Sequence, residues 1–317
     1  MANFPAAVAG ETPPAYTVDS TAAQTSAVRS PTEGDGRRRN LSYPPAPEPL
    51  PVPVMDNHTH LDFRDGLVSV TVRQAMDAAE AVGVAGAVQV GCDLESSRFT
   101  LQAVQAEPRL LGAVAIHPND APPLAEAGTL EQALADIEEI ARHPRIRAIG
   151  ETGLDYYRTE ADGRSAQHDS FRRHIDMAKR LGLALQIHDR DAHEDVVRVL
   201  REEGAPEKVV FHCFSGDASL ARICNDNGWH MSFAGTVSFK NADGLREALA
   251  TAEPDLVLAE TDAPFLTPHP YRGRPNASYL VPYTVRSMAH VLDKDLATLC
   301  TEVAENTQHV YGSWHSE

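Results

Sequence analysis

Val54-Met55-Asp56-Asn57-His58-Thr59-His60-Leu61-Asp62 is the stretch from which the fold is read. Val54 and Met55 end a short apolar strand. His58 and His60 stand two residues apart, so on an extended backbone both imidazoles point to the same side. Two imidazoles at a strand end can grip one metal ion, and imidazole suits zinc and its first-row neighbours. An isolated His-x-His pair is more often an ordinary surface feature. This one gains meaning from what the rest of the chain supplies at equivalent places.

From Val54 onward, short apolar runs alternate with amphipathic helical stretches, the pattern of βα units around a parallel sheet. Strands are expected at 54–57, 86–90, 110–116, 146–150, 184–188, 208–212, 230–233 and 256–260. Helices are expected near 72–82, 95–105, 130–142, 165–181, 192–203, 218–227 and 244–252, with two more at 279–292 and 296–311. Eight strands alternating with helices over about 260 residues is the size of a (β/α)8 TIM barrel, an α/β fold, here with extra C-terminal helices. A doubly wound open sheet is the alternative. Against it, no GxGxxG or phosphate loop follows the first strand, where that fold usually carries one.

The barrel domain is therefore assigned to 54–317, and residues 1–53 differ from it. They are rich in Ala, Pro, Ser, Thr and Gly, show no helical or strand period, and end in Tyr43-Pro44-Pro45-Ala46-Pro47-Glu48-Pro49-Leu50-Pro51. Such a composition offers little apolar surface to offset ordering entropy, so a disordered tail is expected. Arg37-Arg38-Arg39 is followed by prolines rather than an apolar segment, which argues against an export signal.

Composition narrows the function classes. Of 317 residues, 42% are hydrophobic and 23% charged, ordinary for a globular protein with a substantial core. No apolar run approaches the ~18 residues needed to span a membrane. The net charge of −17 argues against a broad basic surface for duplex nucleic acid, though metal ions can hold a polyanion locally. Cys92, Cys213, Cys224 and Cys300 are scattered without a CxxC, which fits reduced thiols and a cytoplasmic location.

Six residues fall at one end of the expected strands. His58 and His60 follow strand one, Glu151 follows strand four, His188 ends strand five, His212 ends strand six, and Asp262 follows strand eight. Barrel active sites are built at that C-terminal rim. Singly, Glu151 or Asp262 could cap a helix, and His188 or His212 could be a satisfied core histidine. Helix capping does not gather all six at one rim, whereas a metal site does.

Four imidazoles and two carboxylates exceed what one tetrahedral ion needs. The economical division is two divalent ions, with His58, His60 and Asp262 on one, His188 and His212 on the other, and Glu151 bridging. A bidentate carboxylate can span the roughly 3.5–4 Å of a two-metal site. Such a pair activates a water for hydrolysis, and Asp262 is placed to take its proton as general base. The donor set does not choose among Mg²⁺, Mn²⁺ and Zn²⁺.

The motifs Asp56-Asn57-His58-Thr59-His60-Leu61-Asp62, Ile116-His117-Pro118, Gly150-Glu151-Thr152-Gly153-Leu154-Asp155-Tyr156-Tyr157, Ile187-His188-Asp189-Arg190, Phe211-His212-Cys213-Phe214-Ser215-Gly216 and Glu260-Thr261-Asp262-Ala263-Pro264 resemble those of the TatD family. These are metal-dependent deoxyribonucleases within the TIM-barrel amidohydrolase superfamily. The resemblance runs from Val54 to about Tyr311. It implies the same six metal ligands, and it implies that His117 and Glu260 lie beside the metals, in contact with substrate or supporting the ligands. It further implies cleavage of DNA from the 3′ side. Two departures are visible: Thr59 where many members have Cys, and Asn276-Ala277-Ser278 where the family often reads Asn-Glu-Pro.

Further residues are candidates on chemical grounds. His117, before Pro118, faces the same rim and could protonate a leaving group or bind phosphate; a structural histidine is the plain alternative. Arg190 could fork onto a phosphate, or pair with Asp189, Asp191 or Glu194. Phe214 and Arg272, in the 214–216 turn and the 271–274 loop, offer a ring and a guanidinium for bases and phosphates. The expected substrate is single-stranded DNA or frayed DNA ends, with no membrane contact and no obligate protein partner. A second class is a hydrolase of a lactone, amide or phosphotriester on the same barrel. Many such enzymes bridge their metals with a carboxylated lysine where this chain has Glu151. A third, a non-enzymatic scaffold, would be expected to lack one or more ligands, and none is lost.

Overall fold

Eight parallel strands, hydrogen-bonded strictly in sequence order, carry the residues singled out above. The computed structural model describes residues 10–17, 30, 32, 36 and 38–314. The strands are β1 (Val54–Thr59), β2 (Val84–Gly91), β3 (Leu110–Val114), β4 (Ile146–Asp155), β5 (Ala184–Arg190), β6 (Val209–Phe211), β7 (His230–Phe233) and β8 (Val257–Ala259). A parallel bridge between Thr59 and Ala263 brings the end of the sheet back to β1, so the barrel is nearly closed. This is the expected TIM barrel.

The helices follow in chain order: α1 (Val72–Glu80), α2 (Leu94–Ala106), α3 (Ala121–Glu126), α4 (Leu130–Ala141), α5 (Arg164–Leu181), α6 (His193–Glu203), α7 (Ala218–Asn227), α8 (Asp243–Thr251), α9 (Val281–Leu292) and α10 (Leu296–Tyr311). Only α3 was not expected. Its Pro122 and Pro123 read as breakers, but the first turn of a helix needs no backbone N–H and accepts proline. Starts are set by side chains: Asp93 caps α2 in a reciprocal box with Ser96, and Asp217 accepts from the amides of Ser219 and Leu220 at the head of α7. No helix among the described residues is long and apolar enough to cross a membrane.

Apolar burial is divided between two layers. One cluster lies between strands and helices, with Met76, Leu110, Ile137, Phe171 and Leu200 fully buried. The other draws Met55, Val88, Leu111, Ala148, Val210 and Leu258 from different strands and is completed by Tyr311 and Trp314. It fills the barrel interior, which leaves the rim as the place for polar chemistry.

The strands at the rim run longer than the apolar pattern suggests. β4 continues to Asp155, so Glu151 lies inside it rather than after it, and His58 and His188 lie inside β1 and β5. Gly153 makes this extension possible. Its φ is +139°, and a Cβ there would lie 2.1 Å from the His188 carbonyl oxygen. The close approach draws β4 onto β5 beside the two ligand candidates.

The expectation of a free tail is corrected for the part of residues 1–53 that is described. Tyr16, Tyr43 and Leu50 are buried. The Tyr16 ring lies 4.6 Å from Tyr43 and 4.9 Å from Tyr279. Tyr279 donates to the Pro44 carbonyl at 2.6 Å, and the Leu50 amide donates to Val82 at 3.0 Å. A proline-rich strand packs without any periodicity: its carbonyls, free of a ladder, accept hydrogen bonds, and its tyrosines supply the apolar area. The rest of that segment, Arg37 included, and residues 315–317 lie outside the described residues.

Candidate metal centre

The pleat of β1 turns His58 and His60 to one side, leaving their Nε2 atoms 3.2 Å apart. Glu151 meets them from β4, with Oε2 3.6 Å from His58 Nε2 and 3.8 Å from His60 Nε2. Its other oxygen, Oε1, lies 2.6 Å from His188 Nδ1, 2.8 Å from His212 Nε2 and 3.4 Å from His117 Nε2. Asp262 Oδ1 closes the near side, 3.5 Å from His60 Nε2 and 3.9 Å from His58 Nε2. All six residues expected at the rim converge on one point, and the two oxygens of Glu151 face different histidines.

The backbone holds this arrangement from behind. Asp56 accepts from the Thr261 amide at 2.8 Å and from its hydroxyl at 2.6 Å, tying β1 to the chain after β8. The Asp262 amide donates to the His58 carbonyl at 2.9 Å, and Asp262 sits at φ +53°, which Asp tolerates better than most residues. Asn276, at the departure from the family pattern, donates to the carbonyls of Thr261 at 3.0 Å and Phe265 at 2.5 Å. That residue fastens the loop.

Protons can be assigned from the partners behind each ring. His60 Nδ1 lies 3.0 Å from the Val90 carbonyl, an acceptor only, so Nδ1 carries the hydrogen and Nε2 offers a lone pair. His212 Nδ1 faces Glu260 at 3.3 Å and His188 Nε2 faces Asp155 at 3.2 Å. In the neutral rings their opposite nitrogens, both turned to Glu151, are then lone pairs too. His58 Nδ1 is buried with no hydrogen-bond partner among the described residues. In their neutral forms these rings turn lone pairs toward the carboxylate oxygens of Glu151 and Asp262, and a cation satisfies such a set.

Electrostatics points the same way. Burial would raise the Glu151 carboxyl, yet the rings of His212, His117 and His188 hold it well below its ordinary value. Burial would lower His212, but Glu151 and Glu260 lift it well above the usual range. His60, also opposed by burial, is raised by Asp262 and Glu151 to about 9. His58 goes the other way, lowered by burial and by His212, whose ring stacks on it at 3.9 Å. A buried cluster that holds Glu151 ionised and pulls protons onto His60, His188 and His212 is short of positive charge.

Three overlapping sets bring ligand atoms within 4.8 Å of one another: His58 with His60 and Glu151, His58 with His212 and Asp262, and His117 with Glu151 and His188. The expected pairing of His188 with His212 is not one of them. His117 enters the third set, but its Nδ1 accepts the Asn119 amide at 3.0 Å. In the neutral ring the proton is then on Nε2, facing Glu151, which makes His117 a hydrogen-bond donor rather than a ligand.

The expected substrate contacts fare unevenly. Glu260 is fully buried and accepts from the Cys213 amide at 2.8 Å besides backing His212, so it supports the cluster and is out of reach of a substrate. Phe214 is 2% exposed and packs on Phe233, with ring centroids 5.6 Å apart, leaving no open face for a base. Arg190 lies over the exposed Tyr157 ring at 3.9 Å and makes no ion pair with Asp189, Asp191 or Glu194. Asp189 pairs with His193 instead. Arg272 lies over Phe239 at 4.4 Å.

Sequence reasoning gave no role to several neighbours. Asp155 lies on the same side of β4 as Glu151, four residues on, and the period of two could have found it. Cys92, just past β2, has its Sγ 3.5 Å from Glu151 Oε2, and burial raises its thiol well above the ordinary range. Phe63 stacks on His60 at 4.9 Å, with Phe265 6.1 Å away. Neither ring has a sequence signal, because turns after strands carry no period.

Comparison with known proteins bears on this geometry. The family model described as TatD related DNase matches residues 55–312. An uncharacterized metal-dependent hydrolase TatD of Mycobacterium tuberculosis is 44% identical over 263 residues, covering 82% of this chain and 98% of that protein. The uncharacterized metal-dependent hydrolase YabD of Bacillus subtilis is 35% identical over 260 residues, covering 81% and 98%. In structure the chain is similar to YjjV, a TatD homolog from Escherichia coli, with a TM-score of 0.74 at 22% identity, over 82% of this chain and 98% of the other.

Proposed function

The chain belongs to the TatD related DNase family of metal-dependent hydrolases, and on that premise we propose that it cleaves phosphodiester bonds of DNA at single-stranded or frayed 3′ ends. The observation that carries the reading is the division of Glu151, one oxygen toward His58 and His60 and the other toward His188 and His212. A carboxylate so placed suits two divalent ions, which His58, His60, Glu151, His188, His212 and Asp262 would hold. Such ions polarise phosphoryl oxygens and bring the pKa of water toward neutrality.

The residues divide the remaining work. Asp262, the least enclosed of the two carboxylates, takes the proton of the attacking water as its oxygen joins phosphorus and the bond to the departing sugar oxygen breaks. His117 donates its Nε2–H to a phosphoryl oxygen as charge builds there. Arg190, Phe63 and Phe265 line the approach, a guanidinium for the next phosphate and two rings for unstacked bases. With a net charge of −17, contacts of this local kind fit single strands better than long duplex tracking.

The test is to load the protein with Mg²⁺, then Mn²⁺, and incubate it with 5′-labelled single strands and blunt duplexes. Shortening of single strands from the 3′ end is expected, lost about 10²–10⁴-fold in Asp262→Asn. Metal-loaded protein that leaves every oligonucleotide intact, while cleaving a lactone or phosphotriester, would assign the site to another hydrolase.

A further inference from the structure

The family match begins at residue 55, yet residues ahead of it bind both loops that flank the metal centre. Arg39 is 9% exposed and Asp65, in the loop between β1 and α1, is fully buried. The guanidinium makes a two-pronged pair with Asp65, Nη1 to Oδ1 at 3.0 Å and Nη2 to Oδ2 at 2.5 Å. Its Nε donates at 2.9 Å to the carbonyl of Gly273, in the loop between β8 and α9. One side chain from the N-terminal segment thus bridges the loop after His60 and the loop after Asp262.

Neighbouring contacts repeat the pattern. Tyr43 donates to the Asp65 carbonyl at 2.9 Å. Arg274 donates back, to the carbonyls of Ser42 at 2.9 Å and Tyr43 at 2.6 Å. The three segments meet at Gly66, where φ is +79° and a Cβ would come within 2.8 Å of both the Leu41 carbonyl and the Pro275 ring. Between these loops lies a cavity of about 270 Å³ whose walls include Tyr16, Tyr43, His60, Phe63, Arg64 and Asn276. It runs from the N-terminal tyrosines to a metal ligand.

We propose that residues 38–53 are a clasp that fixes the two rim loops around this cavity, with Arg39 as its positioning residue for substrate binding. A buried guanidinium held in two-pronged geometry sets orientation as well as distance. Without it the loops lose the side chain that ties them directly to each other, while β1, β4, β5 and the ligands they carry stay in the barrel. The inference rests on the rim being the reaction site, and one arm of its test does not.

That arm is amide hydrogen exchange of the full-length protein. In Arg39→Ala, loops 61–71 and 265–278 should exchange at least about tenfold faster while the strands keep wild-type protection. Arg39→Lys, which keeps the charge but not the fork, should fall between. Asp65→Asn should loosen the same two loops, and it decides the matter should Arg39→Ala fail to fold. The second arm is kinetic, on a single-stranded oligonucleotide: KM should rise several-fold with kcat and bound metal within about twofold of wild type. Loops that exchange at the wild-type rate in both Arg39→Ala and Asp65→Asn overturn the clasp, as does an equal fall in kcat with unchanged KM. A protein that cleaves no oligonucleotide defeats the nuclease reading, and the exchange arm still decides the clasp.

Discussion

Glu260 stands behind His212, its Oε1 3.3 Å from Nδ1, while Nε2 on the far side of the ring lies 2.8 Å from Glu151. A carboxylate in that position fixes the tautomer, turns the lone pair inward and makes the ring more basic. Asp155 does the same for His188. Glu260→Gln should therefore weaken divalent metal binding by about 10–100-fold without unfolding the barrel. Titration calorimetry on metal-free protein, with circular dichroism as the folding control, measures both.

Glu151 is the residue on which the two halves of the site depend. Glu151→Ala removes the side chain whose two oxygens face the two histidine sets, so elemental analysis should find both occupancies reduced. A wild-type plateau at a single ion under saturating metal would instead call for a mononuclear mechanism, with Asp262 acting on one water.

The described part of the N-terminal segment packs on the barrel. A chain beginning at Pro51 loses Tyr16, Tyr43 and Leu50, all buried, and uncovers Tyr279. Burying a large side chain is worth about 1.5–3 kcal/mol, so the truncation should cost on the order of 5 kcal/mol and lower the melting temperature by several degrees. Unchanged melting would mean that these rings do not pack in solution.

His174 gives the fold a pH dependence of known sign. It is buried on α5, its Nε2 accepts the Ile116 amide at 3.2 Å, and burial lowers its pKa to about 4. The unfolded chain takes up this proton near the ordinary value of about 6.5. Between those values only the unfolded state binds it, so stability is full above about pH 6.5 and falls as pH drops toward 4, by about 3 kcal/mol. His230, lowered to about 4 mainly by burial, acts in the same direction. Urea unfolding of metal-free protein at pH 7.5 and 4.5 reads the slope, which His174→Asn should flatten.

The barrel and the cluster of candidate ligands at its rim were legible because both rest on short-range rules. Alternation put His58 and His60 on one face, and the position of each acid or histidine after an apolar run put it at the rim. Strand ends were less legible: β4 reaches Asp155 because Gly153 permits a close approach that no apolar period marks. The clasp was not legible at all. Tyr279 and Pro44, joined at 2.6 Å, are 235 residues apart, and composition cannot register a partner at that distance. Phe214 misled for a related reason: a ring in a turn beside His212 can face either the rim or the core, and here packing against Phe233 decided it.

His117 offers the sharpest test of the chemistry. Its rim position admits two roles, proton donor to a leaving group or hydrogen-bond donor to a phosphoryl oxygen. To act as an acid and regain its proton, the ring must pass through a form protonated on both nitrogens. The Asn119 amide donates to Nδ1 at 3.0 Å, so it occupies the nitrogen where the second proton would sit. His117→Ala should then lower turnover by about 10²–10³, the usual loss for one donor to a developing oxyanion. Glutamine can present an amide N–H near the same place but cannot titrate. His117→Gln should recover at least about tenfold of the loss if donation is the role, and nothing if the residue transfers a proton. Single-turnover cleavage of a 5′-labelled single strand by the three proteins separates the two. Equal, full loss in both variants would return His117 to the acid role.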